Sequence, residues 1–278
     1  MDVFLDRAAE LIRGADALVI ASGAGMGVDS GLPDFRGRDG FWKAYPPLAE
    51  LGLDFAAIAN PSWFRKDPEL AWGFYGHRLN LYRDTTPHLG YEILRTWSTA
   101  MPRGSFAFTS NVDGHFARAG FAANRIEEVH GSIHALQCLG ECGVGIYEAG
   151  ELQVHVDETT MRATGELPRC PACGSLARPN ILMFSDGGWD STVAGEQRLR
   201  FEEWLRSVRR AKLVIVECGA GTAISTVRSL SEGLLSTHDA TLIRINVRDP
   251  EVPRGQIGLP MGARDALSEI DYRRTLRR

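Results

Sequence analysis

Several short apolar runs along the chain stop abruptly at small or polar residues. Ala17 to Ala21 ends at Ser22-Gly23, Phe106 to Phe108 at Thr109-Ser110-Asn111, Leu213 to Val216 shortly before Gly219, and Leu242 to Ile245 at Asn246. Runs of this length predict parallel strands buried on both faces, with carboxyl ends that open into ligand-binding loops. Helical spacing lies between them. Phe201, Leu205 and Val208 fall at i, i+4 and i+7 behind a cap at Asp190-Ser191, and Leu5, Ala8, Leu11 and Ile12 share one side of a helix over residues 1–14. The alternation predicts an α/β fold, a doubly wound, Rossmann-like parallel sheet.

Two segments break that alternation. Residues 38–87 are rich in aromatics and proline and carry no strand signal, which predicts several short helices forming a lid over the strand ends. Residues 134–177 hold paired cysteines among polar, glycine-bearing connections and predict a small metal-pinned module inserted into the sheet domain. The expected division is a sheet domain over 1–133 and 178–278, carrying the lid, and a zinc-binding module over 134–177.

Composition narrows the class. Of 278 residues, 44% are hydrophobic and 24% charged, which excludes a disordered chain. A net charge of −4 offers polyanions no general attraction, so direct nucleic-acid binding is not expected. The cluster Arg273, Arg274, Arg277 and Arg278 reads as a solvated terminus. With neither a charged-then-apolar leader nor a transmembrane run, the expectation is no membrane association and a reducing, cytoplasmic setting. The oligomeric state is not legible.

Four of the five cysteines make two close pairs, Cys138-Leu-Gly-Glu-Cys142 and Cys170-Pro-Ala-Cys173, separated by residues 143–169. Two short loops supplying two thiolates each are what tetrahedral zinc requires, and a set of four protein ligands leaves no position open for substrate. The spacing predicts one structural Zn2+. Cys218 closes an apolar run and reads as packing.

The loop after the first strand reads Gly23-Ala-Gly-Met-Gly-Val-Asp-Ser-Gly-Leu-Pro-Asp-Phe-Arg-Gly37. Glycines let backbone approach a pyrophosphate, and amides after a strand end can cradle its oxygens. The loop departs from the dehydrogenase fingerprint: Val28 stands at the third glycine position, and no strand-ending acidic residue follows about 20 positions on. Hydride transfer is therefore disfavoured.

The whole loop resembles the sirtuin signature G-A-G-x-S-x-x-S-G-I-P-D-F-R-G, with Gly27 for serine and Leu32 for isoleucine. Thr109-Ser-Asn-Val-Asp113, with Ala119-Gly120 beyond it, is similar to the family's T-Q-N-I-D and trailing A-G. Val129-His-Gly-Ser132 matches its H-G-S, Arg178-Pro179 leading to Phe184-Ser185-Asp186 resembles R-P-x-V-V-x-F-G-E, and Ile245-Asn246 resembles its I-N. Order and spacing agree over nearly the entire chain.

That resemblance implies an NAD-dependent protein lysine deacylase acting on acylated-lysine proteins or peptides, with NAD as co-substrate, releasing nicotinamide and O-acyl-ADP-ribose. It implies that His130 is the general base, with Asn111 and Asp113 holding the reactive ribose and the nicotinamide carboxamide. Gly23, Ala24, Gly25, Gly27, Asp34, Phe35, Arg36 and Ser110 would contact NAD, with Gly219, Ala220, Gly221, Thr222 and Asn246 at its adenosine half. Phe184 would meet the substrate. Trp72-Gly-Phe-Tyr-Gly-His-Arg78 is similar to the W-x-F-Y-x-x-R of sirtuins that prefer succinyl, malonyl or glutaryl lysine. Tyr75 and Arg78, at i and i+3, would together hold a distal carboxylate, unless the helix is simply aromatic packing with Arg78 exposed. Ser110 stands for the family's glutamine, Ser185-Asp186 for its G-E, and Gly219 to Arg228 lacks its V-x-P. Both latter segments normally clamp the peptide by strand-like pairing. The departures keep open NAD hydrolysis, mono-ADP-ribosyl transfer and a catalytically weak NAD sensor.

Overall fold

A computed structural model describes residues 1–33 and 37–276. From the amino end, α1 (Asp2–Gly14) leads into β1 (Ala17–Ser22) and the single turn α2 (Gly25–Val28). A run of helices follows, α3 (Gly37–Ala44), α4 (Pro46–Glu50), α5 (Phe55–Ile58), α6 (Trp63–Lys66), α7 (Pro68–Asp84) and α8 (Leu89–Ala100). Next come β2 (Ser105–Thr109), α9 (His115–Arg118) and β3 (Ile126–Glu128). The middle of the chain holds β4 (Gly131–Cys138), β5 (Tyr147–Glu148), β6 (His155–Asp157), β7 (Arg162–Thr164) and β8 (Ala177–Ile181). It ends with α10 (Thr192–Ser207), β9 (Leu213–Cys218), α11 (Thr226–Thr237), β10 (Thr241–Ile245), β11 (Ile257–Leu259) and α12 (Ala263–Leu276).

The main sheet has the order β11-β10-β9-β1-β2-β3, and every pairing in it is parallel. Successive strands step one way from β1 to β3 and the other way from β9 to β11, so the order reverses between β1 and β9. A crevice opens at such a reversal, outside the carboxyl ends of the strands.

Both faces of the sheet are covered, which explains the unbroken apolar runs. In β1, Leu18 and Ile20 pack on one side with Leu5 and Ile12 of α1, Trp97 of α8 and Ile270 of α12. Ala17, Val19 and Ala21 point to the other, against Phe201 and Trp204 of α10 and Leu234 of α11. Each large aliphatic side chain buried in this way is worth about 1.5–3 kcal/mol. The α10 cap comes from Asp190, whose Oδ1 accepts from the Thr192 amide at 3.0 Å, and not from the side chain of Ser191.

The arginine-rich end differs from its expected solvated state. Arg273 reaches across to α1, pairing with Asp2 at 2.5 Å and Asp6 at 3.0 Å as well as with Glu269, while Arg274 pairs with Asp271. Two acidic residues on the first turns of α1 supply counter-charge that the local run does not reveal. Arg277 and Arg278 lie outside the described residues.

A third core joins the helices before β2 to the segment around β4–β8: Phe41, Tyr45, Phe64, Trp72 and Tyr75 pack with Ile133, Leu136, Val154, Met161 and Ala177. The helices α3 to α6 are short, as expected of this segment, whereas α7 runs for 17 residues. Asp67 caps it by accepting from the Leu70 amide, and Pro68 sits where no intrahelical donor is needed. Its two interior glycines have a tertiary reason. A methyl group on Gly73 would run into the Met161 carbonyl and one on Gly76 into Val154, because the β6–β7 hairpin lies directly on that face. The hairpin is strapped to the helix by Arg162–Asp67 at 2.6 Å and by Asn80, which donates to the Val154 carbonyl at 2.9 Å. Among the described residues no helix is long and apolar enough to cross a membrane.

Candidate functional site

A cavity of about 860 Å³ lies at the strand reversal. Its floor is made by Gly23 and Ala24 after β1, Ser110 to Asp113 after β2, His130 after β3 and Ala220 to Thr222 after β9; Tyr75, Arg78 and Tyr82 of α7 form one wall and Leu182 to Phe184 another. Segments far apart in the chain thus converge. Gly25, Gly27, Gly219 and Asn246 are absent from the lining and stand behind it, and Asp34, Phe35 and Arg36 lie outside the described residues.

The glycines are needed for loop-on-loop packing. A methyl on Gly23 would fall 2.8 Å from Ala220 Cα and 3.0 Å from the Gly219 carbonyl oxygen. Gly219 has a φ of 66°, and a Cβ there would enter the backbone of Gly25 and Met26. The Gly25 amide donates to Gly219 O at 3.0 Å. Gly27 faces Leu32 Cδ1 at 2.9 Å and Asp113 Oδ2 at 3.6 Å, measured from where its Cβ would be.

After β2 the chain is held by its own polar groups. Thr109 Oγ1 accepts from the Asn111 amide at 3.0 Å and from Ser22 Oγ at 2.8 Å; Asn111 Nδ2 donates to Gly23 O at 3.1 Å. This places the Asn111 side chain across the β1 loop. Asp113 is buried, its Oδ1 accepting the His115 amide at 2.9 Å, and its backbone oxygen lies 2.9 Å from Nε2 of His134. Ser110, which also lines the cavity, is tied to Ser22 O through its amide at 3.0 Å and through its hydroxyl at 3.4 Å.

His130 links β3 to β4 and is half-buried. Burial lowers its pKa, opposed by hydrogen bonding to the Ser110 backbone. The imidazole is accordingly neutral at pH 7, the form in which one ring nitrogen can accept a proton. Nearby, burial together with the charges of Asp113 and Glu148 pushes Glu128 up to about 8, and burial pushes Glu127 up to about 7 against the opposing Arg198.

Tyr75 and Arg78 are both buried, so Arg78 is not on an exposed helix face. Its guanidinium lies 5.3 to 5.8 Å from the ring centres of Phe55, Phe74, Tyr75 and Tyr82. Arg78 donates to the Tyr82 hydroxyl from Nη2 at 2.8 Å and from Nε at 3.1 Å. The Tyr75 hydroxyl has no hydrogen-bond partner among the described residues. A cation and an unpaired phenol on an aromatic wall suit a ligand carrying a carboxylate. Tyr82 was not a sequence candidate, although its i, i+4 spacing from Arg78 was the available signal. Arg248 and Asp249, which also line the cavity, had none.

The segment after β8 is pinned from within. Arg178 and Asp186 form a buried pair, Ser185 takes a φ of 56°, and the Phe184 amide donates to Ala59 O at 2.9 Å. Phe184 is 40% exposed at the cavity rim. Asn246, expected at the adenosine pocket, spends its side chain internally: Nδ2 donates to Ala220 O at 2.7 Å, and Oδ1 accepts from the amides of Arg248 and Asp249.

The sulfurs of Cys138, Cys142, Cys170 and Cys173 all lie within 4.8 Å of one another, and Cys138–Cys173 and Cys142–Cys170 are each 3.5 Å apart. Zinc–thiolate bonds of about 2.3 Å in a tetrahedron place sulfurs about 3.8 Å apart, so the cluster fits one zinc ion. The Gly140 amide, 3.2 Å from Cys138 Sγ, stabilises the anionic sulfur such a site needs. None of the four lines the cavity. Cys218 is fully buried in the core beside β1.

A model described as the Sir2 family matches residues 23–225. An NAD-dependent protein deacylase of Thermococcus kodakarensis is 34% identical over 184 residues, 66% of this chain and 65% of that protein. NAD-dependent protein deacylase 2 of Pseudomonas aeruginosa is 32% identical over 179 residues, 64% of each. The match therefore spans somewhat less than two thirds of these relatives' length. A probable bifunctional ADP-ribose hydrolase/ADP-ribosyltransferase of Fusarium oxysporum f. sp. cubense is 28% identical over 255 residues, 87% of this chain and 42% of that one. Among solved structures, a Sir2 homologue mutant in complex with ADP-ribose superimposes with a TM-score of 0.72 at 26% identity, covering 97% of this chain and 96% of that one. A Sir2 homologue in complex with NAD gives 0.72 and 26%, covering 99% and 94%.

Proposed function

The chain belongs to the Sir2 family, and from that premise we propose that it is an NAD-dependent protein lysine deacylase that releases nicotinamide and O-acyl-ADP-ribose. The observation that carries this reading is the single cavity in which Asn111, Asp113 and His130 meet the β1 and β9 loops at one end of a wall formed by Tyr75, Arg78 and Tyr82. The NAD and ADP-ribose complexes of Sir2 homologues that cover the chain almost completely support the dinucleotide.

Bound NAD supplies a ribose carbon from which nicotinamide departs and to which the acyl oxygen becomes bonded. The protein's residues do the rest. Asn111, braced against Gly23, orients the ribose, and Asp113 offers the oxygen not committed to the His115 amide to the nicotinamide carboxamide. His130, neutral at physiological pH, draws the proton from a ribose hydroxyl. The buried aromatic wall excludes water from the acyl group, and Arg78 with Tyr75 receives a distal carboxylate, which favours succinyl-like acyl groups. Cys138, Cys142, Cys170 and Cys173 hold one zinc that stabilises the fold of a module over residues 134–177. Four cysteines gathered for a metal and a fifth, Cys218, buried without a disulfide partner among the described residues suit a reducing cytoplasm.

A second reading is mono-ADP-ribosyl transfer. The Fusarium relative matches more of the chain than the deacylases do, and the Phe184 amide and Asp186 carboxylate, which lie where the family clamps a peptide, are already engaged within the protein. Product analysis separates the two. Purified protein given NAD with acetylated or succinylated peptide should form O-acyl-ADP-ribose only when peptide is present. Free ADP-ribose without peptide would select hydrolysis, and ADP-ribosylated protein would select transfer.

A further inference from the structure

Arg228 stands in the segment where the family's V-x-P is missing, on the first turn of α11 (Thr226–Thr237). A cation at a helix amino end opposes the helix dipole, and its ordinary fate there is to turn outward into water. Arg228 instead reaches three carbonyls on two other loops. Its Nη1 donates to Ala220 O at 3.3 Å and to Asp249 O at 3.0 Å, and its Nη2 donates to Glu251 O at 3.2 Å.

The two loops so joined, after β9 and after β10, form the end of the cavity farthest along the sheet from β2. Ala220 and Asp249 both line it. Asn246 makes the same connection from beneath, donating to Ala220 O while accepting from the Arg248 and Asp249 amides. Arg244 fixes the far side, donating to Glu251 O while its guanidinium pairs with Glu217 of β9 and Glu232 of α11. The width of this end is set by side chains bridging carbonyls.

We propose that Arg228 is a positioning residue for the adenosine half of the dinucleotide, holding the Ala220 loop and the Asp249–Glu251 loop at the spacing that admits it. The inference rests on the dinucleotide reading above and extends it to a residue that touches no ligand. Its planar fork of donors suits three carbonyls at once, whereas a lysine ammonium on a flexible stem cannot hold all three in register.

Calorimetric titration with ADP-ribose tests it on the wild type, Arg228→Gln and Arg228→Lys. Arg228→Gln should bind about tenfold more weakly, and Arg228→Lys should fall between the two, the loss expected for a few lost hydrogen bonds. KM for NAD should rise in step, with kcat at saturating NAD changed less than about twofold. Amide exchange should quicken at 220–224 and 247–251 and not in the β1 loop. Unchanged ADP-ribose affinity in Arg228→Gln overturns the proposal, as does a collapse of kcat with KM unmoved. If Arg228→Gln loses its cooperative thermal transition, Arg228→Lys decides by the same criteria. A wild type that fails to bind ADP-ribose overturns the dinucleotide reading itself, which sets that failure apart.

Discussion

Arg178 and Asp186 face each other in a two-pronged ion pair, Nη2 to Oδ2 at 2.6 Å and Nη1 to Oδ1 at 3.1 Å, with side chains 2% and 0% exposed. Asp186 Oδ2 also accepts from the Met183 amide, and Arg178 Nη2 donates to the Ile181 carbonyl, so the pair holds the bend that carries Leu182, Met183 and Phe184 into the cavity rim. Removing one partner strands the other's charge in a dry interior. Asp186→Ala should therefore cost about 3–5 kcal/mol in urea unfolding, and a loss below about 1 kcal/mol would show that water reaches the pair.

Zinc is tested by stoichiometry. Metal analysis of the purified chain should return about one zinc per molecule, and Cys170→Ser should lose it and unfold at lower temperature, since structural zinc contributes directly to folding. Full retention of zinc by Cys170→Ser would place the metal elsewhere.

His130 predicts a pH dependence. Its folded pKa is depressed by burial, and in the proposed reaction the neutral ring acts as the base, so kcat/KM should fall on the acid side with a midpoint below about 6.5 and hold steady through neutrality. His130→Ala should lower turnover about a hundred- to ten-thousand-fold while ADP-ribose still binds. An acid limb that survives unchanged in the variant would assign it to another group.

Arg78→Met keeps much of the volume and removes the charge. Desuccinylation should drop about ten- to a hundredfold, the loss of charge-assisted hydrogen bonds, while deacetylation changes far less. Equal losses on both peptides would assign Arg78 a packing role among the four rings that surround it.

Two helical glycines should respond in opposite directions to one substitution. Gly195 in α10 has open space where a Cβ would stand, so Gly195→Ala should stabilise by about 0.5–1 kcal/mol through helix propensity. Gly76 in α7 would place its Cβ 2.6 Å from Val154 Cβ, an atom fixed to the backbone. Overpacking of about 1–3 kcal/mol outweighs the propensity gain there, and Gly76→Ala should be destabilised on balance. Thermal unfolding of both variants reads the signs directly.

What was legible in the sequence is what local spacing encodes. Period-free apolar runs marked β1, β2, β9 and β10 because a strand buried on both faces has no polar side to show, and each run ended where the sheet opens into the cavity. The C-x3-C and C-x2-C pairs announced a metal cluster because each knuckle needs only its own few residues. The tertiary structure decided the rest. Gly23 and Gly219 are separated by most of the chain, so their mutual exclusion of a Cβ had no local trace. For Arg78 the sequence favoured a carboxylate-holding role with Tyr75 and left open an exposed helix face, until α5, α7 and their rings closed around it. Arg273 and Asn246 likewise found partners on other loops and helices. A side chain's period belongs to its own segment, whereas the atoms that fill the space beside it come from whichever distant segment the packing brings there.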